Sequence, residues 1–228
     1  MALLLILEIA IILFLRKKLA SYFVSTIQMW GGSRSVAVWF YAVLSLPGVL
    51  SHEISHFLYA AFLGLRTGSI ELLPHMDEQG GVELGSVQVE RKDPLRLSLV
   101  GLAPLISGMI LVAWLSSFIS FTFPIHLTWL HIFATYMITV IALHMTPSKK
   151  DMASWPIVAI LFFLFMSSFI FLGFKIPTTT SLVAQFSHIL DQTVYGLALA
   201  VLVAGLMTGI EYIGLLVTIR YDRRHICL

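Results

Sequence analysis

Residues 51–56 read Ser51-His52-Glu53-Ile54-Ser55-His56. His52 and His56 are four apart, so on a helix both rings project from one face, a turn apart. That spacing lets two imidazoles ligate one Zn²⁺ ion, with Glu53 near enough to take a proton from an activated water. The surrounding stretch, about Val36 to Leu65, is apolar. A charged group at the centre of a bilayer costs about 2.5–3.5 kcal/mol. Hydrogen bonding between helices needs one or two polar groups, whereas three at this spacing point to a metal centre.

A catalytic zinc site has three protein ligands and keeps one position open. The candidates for the third ligand are Asp151, His144, His75, Asp77 and Glu78. Asp151 ends the run Leu143-His144-Met145-Thr146-Pro147-Ser148-Lys149-Lys150-Asp151. A proline just past a helix end can turn the chain back toward the bundle, which would return Asp151 to the depth of the two histidines. His144 is the alternative, although a histidine at a lipid boundary is more often a satisfied polar group.

The elements that must position these residues follow from composition. Of 228 residues, 58% are hydrophobic and 11% charged, and the mean hydropathy is +0.93. Soluble domains carry about 45–50% apolar and about 25% charged residues. A soluble enzyme, a nucleic-acid binder and a disordered chain are thereby excluded as readings of the whole protein. An all-α membrane protein is expected, with the lipid bilayer as its solvent. The net charge of +2 argues for no anionic partner, and the lone Cys227 permits neither an internal disulfide nor a cysteine metal site.

About six transmembrane helices are expected. The first covers residues 2–15, extended by an amphipathic stretch over 19–30. The others cover about 36–65, 95–121, 125–145, 153–174 and 193–219. Glu8 is expected to face other helices. Residues 66–94 are different, holding Glu71, Asp77, Glu78, Glu83, Glu90 and Asp93 around Gly80-Gly81. Ser69–Leu73 and Val82–Glu90 are β-prone, so a small β-hairpin insert is expected after the motif helix. Lys and Arg are more numerous on the side that holds both termini, the hairpin and the 146–152 loop. That balance places this side in the cytoplasm, against the opposing pull of Arg16-Lys17-Lys18. Gly205 and Gly209 form a Gly-x-x-x-Gly expected to pack inside the bundle, and Gly101 and Gly108 are further small positions. Glu211 and His131 are expected to hydrogen-bond neighbouring helices.

The intramembrane His-Glu-x-x-His, the later proline-containing span and the aspartate after another span together resemble the site-2 protease family of intramembrane zinc metalloproteases. The resemblance covers about residues 37–155. It implies His52, His56 and Asp151 as ligands of one zinc ion, and Glu53 as the catalytic base. It also implies a membrane-protein substrate cleaved in or near a transmembrane segment, in the cytoplasmic membrane of a prokaryote. Leu102-Ala103-Pro104-Leu105-Ile106-Ser107 falls where the family has Gly-Pro-x-x-Asn, so Ser107 becomes a candidate donor to the peptide or the oxyanion. Asp151 is followed by Met152 where the family has Gly. The expected organisation is an N-terminal span and linker over 1–36, a metalloprotease core over 37–155, and two C-terminal spans with a basic tail over 156–228. The competing class is a non-proteolytic scaffold or a metal-binding transport subunit. A proteolytically dead relative has no need of Glu53, and a transporter would spread ionisable groups along several helices.

Overall fold

A computed structural model describes residues 2–72, 74–76, 82–90, 93–119, 128–153, 155–156, 159–160, 163–164, 167 and 180–226. The described elements are α1 (Ala2–Met29), α2 (Arg34–Phe62), β1 (Thr67–Glu71), β2 (His75–Met76), β3 (Val82–Glu83), β4 (Ser86–Val89), α3 (Pro94–Ser116), α4 (Trp129–His144) and α5 (Thr180–Ile226).

Helix boundaries follow local chemistry. α1 and α2 each end on a glycine with positive φ, Gly31 at 84° and Gly64 at 70°. Past Gly64, Leu65 N–H reaches back to Ala60 O at 2.9 Å while Gly64 N–H bonds Ala61 O at 3.0 Å, closing the helix with satisfied carbonyls. Ser33 opens α2 by accepting from Val36 N–H, and Asp93 opens α3 by accepting from Leu95 N–H with Pro94 in the first turn. Thr128 and His131 form a reciprocal cap at the start of α4. His131 therefore serves its own helix, not the neighbouring helix that the sequence suggested.

α2, α3 and residues 187–218 of α5 are long and apolar enough to cross a membrane, and α4 is a shorter apolar helix. Large apolar side chains face outward, among them Phe62, Trp129, Phe40 and Ile210. Water would penalise such a surface and lipid would not, so the chain is compatible with a membrane protein. The expected fifth span falls largely outside the described residues. α1 is one continuous 28-residue helix that takes in both the apolar run and its amphipathic extension. Arg16, Lys17 and Lys18 lie midway along it. Glu8 is buried, as expected.

The core gathers Ile12, Leu15 and Leu19 of α1, Val112 of α3, Ile138 and Ile141 of α4, and Leu197, Ala200 and Ala204 of α5. A second cluster of Ala60, Leu65 and Val100 packs against Val89, seating the β-segment on α2 and α3. That segment is a hairpin in two parts. β1 pairs antiparallel with β4 (Ile70 opposite Val87), and β2 pairs with β3 (Met76 opposite Val82). Gly80 and Gly81, expected to make its turn, lie outside the described residues.

Candidate metal centre

α2 brings His52 and His56 onto one face, with the ring centroids 4.7 Å apart and Nε2 to Nε2 at 3.1 Å. Asp151 approaches from the segment after α4. Its Oδ1 is 3.3 Å from His56 Nε2, and its Oδ2 is 3.8 Å from His52 Nε2. These three are the one group of potential metal-ligating side chains among the described residues.

The outer nitrogens explain why the inner ones converge. His52 Nδ1 donates to the main-chain carbonyl of His144 at 2.6 Å, and His56 Nδ1 donates to the carbonyl of Val100 at 2.9 Å. With both protons on Nδ1, each neutral ring turns a bare lone pair inward from Nε2. Two lone pairs at 3.1 Å repel unless a metal ion or a proton lies between them. Two nitrogens bound to a tetrahedral zinc at about 2.0–2.1 Å stand about 3.3 Å apart. The donor set therefore fits a zinc ion, with a carboxylate as the third ligand.

Asp151 is held by its own turn. Its Oδ2 accepts from Ser148 N–H at 2.6 Å, and Ser148 Oγ accepts from Asp151 N–H at 3.3 Å. Burial resists ionisation of Asp151, but His56, when it carries a second proton in place of a metal, and the hydroxyl and N–H of Ser148 outweigh it and hold the carboxyl at about 2. Asp151 is thus a carboxylate at neutral pH.

Glycines let this segment come close. A Cβ at Gly101 would meet the main-chain carbonyl of Asp151, and one at Gly108 would meet Met145 Cβ. On α2, a Cβ at Gly48 would collide with Val140 O and lie 2.8 Å from His144 Nδ1. The 145–151 chain lies along α3, and α4 lies along α2, because these positions carry no side chain.

Glu53 is 6% exposed and stands within electrostatic reach of His56. Gly85, between β3 and β4, rests on it. A Cβ there would lie 3.1 Å from Glu53 Cγ and 3.2 Å from Oε1. Ser107 ties α3 to α2: its hydroxyl is 2.5 Å from Ser55 Oγ and 2.7 Å from Ala103 O.

Among the other ligand candidates, His144 does not join the group. Its Nδ1 donates to Val140 O at 2.9 Å, and its contribution is the carbonyl that orients His52. The backbone of His75 pairs in β2, opposite Glu83, while Asp77 and Glu78 lie outside the described residues. Sequence reasoning missed the two carbonyls, because main-chain partners leave no mark in residue type. It also missed Ser55, which sits three residues after His52 on a face with Ser107 as its partner.

No family model, no curated protein and no solved structure matches this chain.

Proposed function

We propose that the protein is an intramembrane zinc metalloprotease that hydrolyses peptide bonds in or near transmembrane segments of other membrane proteins. The observation that carries this reading is the convergence of His52, His56 and Asp151 beside Glu53, on a helix long and apolar enough to cross a membrane. In this reading the chain crosses the bilayer about six times, with its termini and hairpin on the cytoplasmic side of a prokaryotic membrane.

A zinc ion held by His52, His56 and Asp151 would activate water and polarise the scissile carbonyl. The rest is work for the chain's own residues. Glu53 accepts the proton released as water attacks, then delivers it to the departing amine nitrogen. His144 O and Val100 O keep both rings in the tautomer that presents Nε2. A helical substrate has its carbonyls bonded internally, so it must unwind first. An edge of the β-segment offers backbone groups to hold the unwound strand, with Gly85 setting its distance from Glu53. Ser107 can bond the peptide or oxyanion by releasing Ser55 or Ala103 O.

The test separates binding from chemistry. Glu53→Gln in the full chain should keep zinc, measured by elemental analysis, and lose cleavage of a transmembrane reporter by about 10²–10⁴-fold or more. His52→Ala should lose the metal. A Glu53→Gln protein that still cleaves, or wild-type protein that takes up no zinc, sinks the proposal.

A further inference from the structure

The expected catalytic core begins at residue 37, yet α1 reaches into the metal centre. Arg16 Nη1 donates to Thr146 Oγ1 at 3.2 Å, across 130 positions of sequence. Thr146 is 1% exposed. It lies two residues after His144, whose carbonyl orients His52, and five before Asp151. Between those two points the chain leaves α4 and runs through irregular backbone over 145–148. Irregular backbone has no ladder of its own to hold it, so side chains must do so.

No ion pair among the described residues accounts for the place of Arg16. A guanidinium among apolar helices is costly, and its sign repels a divalent cation nearby. Among the described residues no carboxylate lies within ion-pair distance of it, although Asp151 and Tyr41 are within electrostatic reach. What Arg16 does supply is a rigid planar donor on a continuous helix, at the one stretch where the ligand-bearing chain is irregular.

We propose that Arg16 is a positioning residue for the metal centre. Through Thr146 it clamps residues 144–151 to α1, keeping the His144 carbonyl on His52 and Asp151 at ligand distance. The inference rests on the metalloprotease reading only for the identity of the three ligands.

The test is zinc affinity of the full chain in detergent, read by competition with a chromophoric chelator. Thr146→Val keeps the side-chain shape and removes the hydroxyl. It should weaken zinc binding about tenfold to a hundredfold, the usual scale for groups that orient metal ligands. Thr146→Ser should restore wild-type affinity. Arg16→Met should match Thr146→Val, and the double variant should be no weaker than either single one, because both remove the same bond. If Arg16→Met fails to fold, the Thr146→Val and Thr146→Ser pair decides alone. Unchanged affinity in Thr146→Val, tighter zinc in Arg16→Met, or additive losses overturn the clamp. Zinc bound by wild type, lost in His52→Ala and unmoved in Thr146→Val overturns the clamp alone. Wild-type chain that binds no zinc overturns the metal reading beneath it.

Discussion

Gly48, Gly101 and Gly108 sit where two stretches of chain nearly touch, whereas Gly205 and Gly209 of α5 look onto open space, with nothing within 4 Å of a Cβ built at either. The second pair has the Gly-x-x-x-Gly spacing associated with close helix packing, and the sequence suggested that it packs inside the bundle. In the structure the buried positions on that part of α5 are Ala204 and Thr208 instead. The first three glycines follow no such period. Gly101 and Gly108 receive an irregular segment, and Gly48 receives the last turn of α4. Spacing reveals a partner that is itself periodic, and the segment that Gly101 and Gly108 receive is not.

The sharpest way to break this contrast is at the ligand that the glycines admit. Asp151→Ala should cut zinc affinity by more than about a hundredfold, beyond the scale for orienting groups, while His144→Ala keeps its main-chain carbonyl and most of the zinc. Elemental analysis of both proteins checks this, and the reverse pattern would move the third ligand to His144. Gly101→Ala comes next. Its Cβ meets main chain, which cannot rotate aside, so a loss of about 1–3 kcal/mol in stability and at least about tenfold in zinc affinity is expected. Thermal unfolding in detergent and chelator competition report the two. Gly108→Ala meets Met145 Cβ, an atom fixed to the backbone, and should cost about 1–2 kcal/mol with a smaller effect on zinc. Gly205→Ala and Gly209→Ala should be the mildest, neutral or stabilising by up to about 1 kcal/mol through helix propensity. A large melting-temperature loss at either would show that α5 packs against something there after all.

His52 and His56 were legible as a pair that could hold a metal, because groups so costly in an apolar run, set at a helical period, need a shared reason to be there; the role of Glu53 belongs to the proposal. Asp151 was legible only as a candidate. The sequence offered Pro147 as the reason for its return, and the structure adds the Ser148 turn and the bare surface at Gly101. The carbonyls of His144 and Val100 were not legible, since every residue has one and only the fold selects which is aimed. The contact of Arg16 was not legible for a related reason. Charge clusters usually end spans, and nothing in Arg16-Lys17-Lys18 says that the first of the three bonds Thr146. The β-segment was legible as a hairpin, but its division into two short sheets depends on pairing that composition does not encode.

The contact of Gly85 with Glu53 carries one more consequence. The backbone at Gly85 lies against the Glu53 side chain, close enough that a Cβ there would crowd its Cγ and Oε1. A side chain can change rotamer and leave its surroundings alone, but a strand end moves only with its hairpin. The clearance beside Glu53 is therefore tied to the placement of β3 and β4, which flank Gly85. Under the proposed hydrolysis, a strand docked along β4 would bear directly on the space beside the proton-accepting carboxylate.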